Sequence, residues 1–320
     1  MKQNILKALF CAGIGIGAAC AALAADRVVL IEDYTAVWCG PCRGTGEALH
    51  NIQLRYPERV VVHQIHSDDG YELIFGDQRY CRWGYCGGNY ALPTVGICGK
   101  DRWVGTRTEA FYQSQVDYWW TVPTDTIVKI VTEKVTDSLY NVHVDVTVEP
   151  GGVAKDMRVF LTVLIDQWPD SQWHHVHGLG MSAESDGRSY GYETIRVNPG
   201  QTVRVSKTLE LNRIVQGRGL EWNPWNYADR LRLAAWAEGT GDKYFDANAE
   251  VYNAAIKYYP FEQKVIGDLD GDGDVDLSDL ATLLSDFGCT GGTCPGDVDG
   301  DGDTDMADLA ALLGNYGYGG

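Results

Sequence analysis

Asp33-Tyr34-Thr35-Ala36-Val37-Trp38-Cys39-Gly40-Pro41-Cys42 is the stretch that decides the first fold. It follows a short apolar run, Val28-Val29-Leu30-Ile31, of the kind carried by a strand covered on both faces, and it opens a helical segment from about Cys39 that Pro57 ends. Two intervening residues let both sulfurs meet across the first helical turn, where orphan N–H groups and the helix dipole favour negative charge. A thiol whose pKa falls from about 8.5 to about 7 raises its thiolate share at neutral pH from roughly 3% to roughly half. Cys39 is therefore the expected attacking sulfur, and Cys42, one turn deeper, the resolving one. An inert staple at the same place is the alternative.

Outward from this turn, Val60 to Ile65 is a second β-branched run. Thr94 to Cys98 and Trp103-Val104 flank Gly99-Lys100-Asp101 as a hairpin, and Glu109 to Trp120 is an aromatic-rich helix. Strand, helix, strand, hairpin and helix describe an α/β layered unit. After Pro123 only strands follow. Val142, Val144, Val146 and Val148 alternate with polar residues, and Met157 to Ile165, Thr202 to Leu211 and Leu231 to Ala237 continue in that style. They predict an all-β, immunoglobulin-like sandwich.

The segment from Asp26 to Val122 resembles the thioredoxin superfamily. Three features carry the likeness: Trp38-Cys39-Gly40-Pro41-Cys42, Asp33 six residues before Cys39, and Leu92-Pro93-Thr94. The resemblance implies that Asp33 is a buried acid assisting the resolving cysteine, and that Pro93 forms a cis-proline loop against the disulfide and pairs with substrate backbone. Leu30-Ile31-Glu32-Asp33-Tyr34-Thr35 and Val61-Val62-His63-Gln64-Ile65-His66-Ser67-Asp68 look like a branch of bacterial outer-membrane-associated proteins. In that branch a β-rich domain follows the thioredoxin-like one. A protein thiol or disulfide is then the expected substrate, with the direction of electron flow open. Cys81-Arg82-Trp83-Gly84-Tyr85-Cys86 reads as a loop clasp in preference to a second redox couple, since no helix terminus acidifies either thiol.

The C-terminal segment repeats itself. Asp268, Asp270, Asp272, Gly273, Asp274, Asp276 and Asp279 recur 29 residues later as Asp297, Asp299, Asp301, Gly302, Asp303, Asp305 and Asp308. These are positions 1, 3, 5, 6, 7, 9 and 12 of an EF-hand loop: hard carboxylates for a hard cation, with glycine where the loop turns. Two structural calcium ions are expected. Asp at position 12 replaces the usual Glu. One loop and one helix, duplicated, resemble a type I dockerin, which implies docking onto a cohesin. Leu277-Ser278 and Met306-Ala307 depart from the family's common hydroxyl pair at the contact positions. Cys289-Thr290-Gly291-Gly292-Thr293-Cys294 replaces a longer helical linker and predicts a disulfide clasp.

Charge agrees with this division. Residues 267–320 hold 13 Asp and no Glu, Lys or Arg, leaving 31 acids against 26 bases elsewhere in a 320-residue chain of net charge −18. So concentrated an anion disfavours a nucleic-acid partner. Lys2 and Lys7 before the uncharged stretch from Ala8 to Ala25, closing on Ala22-Leu23-Ala24, predict a signal peptide. An uncleaved anchor is the alternative, and no transmembrane span is expected in the mature chain. The expected location is periplasmic, cell-surface or extracellular. Seven cysteines remain after cleavage, so Cys98 is left over when Cys39–Cys42, Cys81–Cys86 and Cys289–Cys294 pair.

Residues 1–25, 26–122, 123–262 and 263–320 are thus expected as signal peptide, thioredoxin-like domain, β-sandwich and dockerin-like module. The Trp173-His174-His175-Val176-His177 run reads as a surface loop, and Trp222, Trp225 and Tyr227 as sandwich packing. Serine-hydrolase, P-loop and zincin signatures are missing from the sequence. The leading reading is an exported thiol–disulfide oxidoreductase. Its rival is a non-enzymatic cell-surface or cellulosome-like component built on the same scaffold.

Overall fold

The computed structural model describes residues 25–69, 79–81, 83, 91–166, 192–211, 230–240, 249–259, 261, 266–270, 275–291, 294–299 and 301–318, together with the backbone of 176–181. The expected signal peptide lies outside the described residues except for Ala25, as do Cys86, Asp272, Gly273, Asp274, His174, His175, Trp222, Trp225 and Tyr227. The chain forms two compact units, Met1–Phe261 and Glu262–Gly320. It is mostly β-sheet with few helices, and the second unit is a small helical module closed by a disulfide.

In the first unit β1 (Val29–Thr35) leads to α1 (Cys42–Arg55), β2 (Val60–His66), β3 (Thr94–Ile97), β4 (Asp101–Val104) and α2 (Glu109–Thr121). Strands β1 and β2 run parallel, while β3 is antiparallel to both β1 and β4. Every residue of β1 and β2 is buried, as their unbroken apolar and β-branched runs require of strands covered on both faces. Helix α1 starts at Cys42, later than the sequence suggests, because Pro41 occupies the N-cap and Cys39–Pro41 form the turn before it.

Among the described residues six β-strands follow to residue 210: β5 (Thr126–Lys134), β6 (Leu139–Val148), β7 (Lys155–Asp166), β8 (Val176–Met181), β9 (Tyr192–Val197) and β10 (Thr202–Glu210). Strands β11 (Leu231–Gly239) and β12 (Val251–Tyr258) complete the unit. Strands β10, β6 and β5 form one antiparallel sheet. Alternate residues Tyr140, Val142, Val144, Val146 and Val148 of β6 are fully buried, the period-2 pattern read from the sequence. They pack against Met157, Val159, Leu161, Val163 and Ile165 of β7 and Leu231, Leu233 and Ala235 of β11 in one core.

The opposing sheet does not end with the sandwich. Its order is β12-β11-β7-β8-β2-β1-β3-β4, and β8 joins β2 in parallel at Gln64 and His177. The expected divide at residue 122 therefore falls inside one compact unit with one shared sheet. The reverse face of β7 and β11 explains the fusion: Phe160, Leu164, Ala234 and Trp236 enter a second core with Leu30, Leu49, Ile52 and Val61. All nine residues of β11 are buried for that reason.

The second unit contains α3 (Leu277–Asp286) and α4 (Met306–Leu313) around Val275, Leu283, Val298 and Leu312. Its halves repeat each other. Val275 pairs with Tyr318 and Gly317 through Val275 N–H to Tyr318 O and Gly317 N–H to Val275 O, and Thr304, 29 residues later, pairs with Cys289 and Gly288 in the same manner. No helix among the described residues is long and apolar enough to cross a membrane.

Candidate functional site

Cys39 and Cys42 form a disulfide across the first turn of α1, with Cα atoms 5.4 Å apart. Helix α1 has no side-chain cap, so its first N–H groups remain oriented toward this turn. Leu92 packs against the cluster of Ala36, Cys39 and Cys42, and the Leu92–Pro93 bond beside it is cis. The expected attacking sulfur is mostly covered: Cys39 is 5% exposed and Cys42 fully buried. The rim on one side is open. Gly40 and Pro41 are exposed, a Cβ at Gly40 would meet no atom within 4 Å, and Trp38 is 57% exposed.

Asp33 lies on the central strand β1, fully buried, in register with Gln64 of β2. Gln64 Nε2 donates to Asp33 Oδ2 at 2.7 Å, and Oδ1 has no partner among the described residues. Burial pushes this carboxyl up to about 7, against the pull of the Gln64 hydrogen bond. Burial, and then the Asp33 charge, pushes the Tyr112 phenol of α2 up to about 12.

The Asp33 shift fixes a sign. The folded state holds this proton up to about pH 7 and the unfolded state releases it near 4, so stability falls as pH rises from about 4 to about 7 and is flat beyond. Asp33→Asn removes that slope. The variant will be the more stable protein at pH 8, by up to about 4 kcal/mol, with the advantage vanishing toward pH 4. Urea unfolding at both pH values measures it, and a variant equally unstable at pH 8 would contradict the buried-acid assignment.

Residues outside the motif hold the turn. Asp69 Oδ2 accepts from Val37 N–H at 2.9 Å and lies 2.5 Å from His66 Nδ1, with both side chains nearly fully buried. Trp38 Nε1 donates to Asp68 O at 2.8 Å, and Thr106 Oγ1 donates to Pro41 O at 2.8 Å. The sequence does not point to Asp69 or Thr106, because each reaches the motif from a loop 32 or 65 residues away. Asp69→Ala leaves a buried N–H and a buried imidazole without this acceptor. It will cost roughly 2–3 kcal/mol of stability in denaturant unfolding. A loss under about 0.5 kcal/mol would show that the brace contributes little.

Tyr80 and Trp83 pack near the same turn, with Leu92 between them and the cysteine cluster. Tyr80 stacks on Tyr34 at 4.5 Å and exchanges hydrogen bonds with the backbone of Ala91. Trp83 lies on Gly96, where a Cβ would sit 2.9 Å from its ring, so glycine is required there. Cys81 is disulfide-bonded, and its expected partner Cys86 lies outside the described residues. The odd cysteine, Cys98, is a buried free thiol whose pKa burial pushes up to about 12, an unreactive setting.

In the second unit, carboxylate oxygens of Asp268, Asp270 and Asp279 lie within 4.8 Å of one another, as do those of Asp297, Asp299 and Asp308. Asp303, Asp305 and Asp308 form a further group. Gly302 has φ +97° and donates its N–H to Asp297 Oδ2 at 3.0 Å, the sharp turn expected at loop position 6. Asp301 is exposed and accepts from Asp303 N–H at 3.1 Å. Asp276 and Asp305 cap α3 and α4, each in a capping box with Asp279 or Asp308. Burial raises the Asp279 and Asp308 carboxyls, but backbone N–H donors outweigh it and hold both below the usual range. Asp299 and Asp303 sit above it, through desolvation and then neighbouring carboxylates. An all-oxygen, all-anionic donor set of this kind fits a divalent metal ion. Cys289 and Cys294 are joined by a disulfide, as their spacing suggested.

No family model matches the chain. Among solved structures, HBP35 of Porphyromonas gingivalis aligns with a TM-score of 0.54 at 14% identity, over 73% of this chain and 75% of that one. At that identity the match shows a shared fold. An Agrobacterium tumefaciens protein aligns at TM-score 0.45 and 16% identity, over 73% of this chain and 96% of its own. A domain of the outer membrane lipoprotein Omp28 from Porphyromonas gingivalis aligns at 0.28 and 16%, over 43% and 92%. These two scores are too low to bear on the fold.

Proposed function

We propose that this chain is an exported thiol–disulfide oxidoreductase of thioredoxin-like type, carrying a calcium-folded, dockerin-like module. One observation carries the redox reading: a Cys-Gly-Pro-Cys disulfide at a helix N-terminus, with the Leu92–Pro93 loop packed beside it and the buried acid Asp33 on the strand that leads into the turn. In the reducing direction the Cys39 thiolate attacks one sulfur of a substrate disulfide. That S–S bond breaks, a Cys39–substrate disulfide forms, and the departing thiolate takes a proton. Asp33 accepts the Cys42 proton. Cys42 Sγ then attacks Cys39 Sγ, expelling the second substrate thiolate, which takes up the proton released by Asp33. Two electrons and two protons pass to the substrate, and the Cys39–Cys42 disulfide remains. Pro93 shapes the groove in which substrate backbone lies.

The rival reading, a non-enzymatic surface component on this scaffold, draws on the 5% exposure of Cys39. The midpoint potential of the Cys39–Cys42 couple separates the two. A value near about −200 mV suits exchange, whereas one well below about −300 mV suits a structural bridge and would remove the redox assignment.

Calcium suits the acidic loops best, since six to eight flexible oxygen ligands are what such loops offer. Asp268, Asp270, Asp272, Asp274, Asp276 and Asp279 hold one ion, and Asp297, Asp299, Asp301, Asp303, Asp305 and Asp308 the other. A cation bound there would offset the repulsion among these carboxylates, which otherwise opposes folding. A cohesin-like protein is the proposed docking partner. Export places the protein in the periplasm, at the cell surface or outside the cell.

A further inference from the structure

The two metal loops are alike in sequence and unlike in what holds them. Loop 2, residues 297–308, is gripped at two places by the segment that the Cys289–Cys294 disulfide closes. Asp297 N–H donates to Cys294 O at 3.1 Å, at loop position 1. Thr304 N–H donates to Cys289 O at 3.0 Å, and Gly291 N–H to Gly302 O at 3.3 Å, at positions 8 and 6. Thr290 and Asp303 form an isolated β-bridge between these bonds, and Cys294 Sγ rests 3.8 Å from Gly302 O. The disulfide thus ties the first ligand position of loop 2 to its middle through one covalent ring.

Loop 1, residues 268–279, has the same backbone pairing in its middle, Val275 with Gly317 and Tyr318, but no cysteine near it. Nothing covalent links the residues before Asp268 to Gly317 and Tyr318. With no cysteine between Glu262 and Phe287 or after Cys294, no disulfide can close such a ring on loop 1.

We infer that Cys289–Cys294 is a redox control on the metal module: the oxidised bridge preorganises loop 2 for its ion, and reduction weakens binding there while sparing loop 1. This rests on the calcium reading of the loops. The loops must be brought to ligating geometry before an ion is held, and a crosslink that removes loose conformations lowers that cost. The step itself needs a dithiol. One of its thiolates attacks a sulfur of the Cys289–Cys294 bond, which breaks, giving a mixed disulfide. The cysteine not attacked leaves in that step, and the second thiolate then displaces the attacked cysteine from the mixed disulfide, so the dithiol is oxidised and both cysteines end as thiols with the dithiol's two protons.

The test is isothermal titration of the full chain with calcium chloride in a Cys39→Ser/Cys42→Ser background, where the Cys289→Ser/Cys294→Ser pair separates the effect of the module's own bridge from reduction of the Cys81 disulfide. Asp268→Asn/Asp270→Asn and Asp297→Asn/Asp299→Asn assign each binding event to its loop. Adding dithiothreitol, and separately introducing Cys289→Ser/Cys294→Ser, is expected to weaken the loop 2 event at least about tenfold and the loop 1 event less than about threefold. Circular dichroism at saturating calcium checks that each form folds. Loop 2 affinity unchanged on reduction overturns the inference and leaves calcium binding intact. Equal weakening of both loops also overturns it, since that is general destabilisation. Failure of either loop to bind calcium in the oxidised protein overturns the calcium reading itself.

Discussion

Chelation with EDTA will unfold the Glu262–Gly320 unit and leave Met1–Phe261 folded. The second unit buries only Val275, Leu283, Val298 and Leu312 as a core among its described residues, too little apolar surface for a segment of this length to stand alone. Against that core stand 13 aspartates with no Lys or Arg between residues 267 and 320. Without a cation the clustered carboxylates repel one another, and Asp299 and Asp303 already sit above the usual range. Each ion stabilises by about 2.7 kcal/mol at a free concentration 100 times its dissociation constant, and both loops contribute. Far-UV circular dichroism should lose the signal of α3 and α4 in EDTA and recover it with calcium. A spectrum indifferent to EDTA would contradict the metal assignment.

Cys39→Ser will abolish exchange, lowering the rate of insulin reduction by at least about 10³-fold. A serine hydroxyl is not ionised at neutral pH, whereas a thiol at a helix N-terminus is partly thiolate there. Cys42→Ser will behave differently. It retains the attacking sulfur, so it should form a mixed disulfide with substrate and stall, a species visible by non-reducing electrophoresis. The two variants must differ for the roles to hold. Wild-type rates in Cys39→Ser, or trapping through Cys42 instead, would overturn the assignment.

Much of the local structure was legible because it rests on nearest neighbours in sequence. The alternating valines of β6, the end of α1 before Pro57 and the hairpin of β3 and β4 all follow from period, proline and glycine. The acidic clusters were legible because a 29-residue repeat keeps glycine and carboxylates at fixed offsets. Long-range pairing was not. Nothing in Gln64 or His177 announces that β2 and β8 will join, so the continuous sheet emerged only in three dimensions. The same limit hid Asp69 and Thr106, whose importance depends on a loop folding back against Val37 and Pro41. The burial of Cys39 was not legible for a related reason. Leu92 covers it from a loop 53 residues away, and no property of the motif encodes that contact.

The central claim is that reduction releases a reactive thiolate at position 39. Its most direct measurement is the rate of iodoacetamide alkylation of the reduced, folded protein as a function of pH, with the modified residue identified by mass spectrometry. The account predicts rapid modification of Cys39 with an inflection at or below about pH 7, and little modification of Cys42. Slow alkylation of Cys39 with an inflection at or above about pH 8.5, or none until the protein is unfolded, would contradict it.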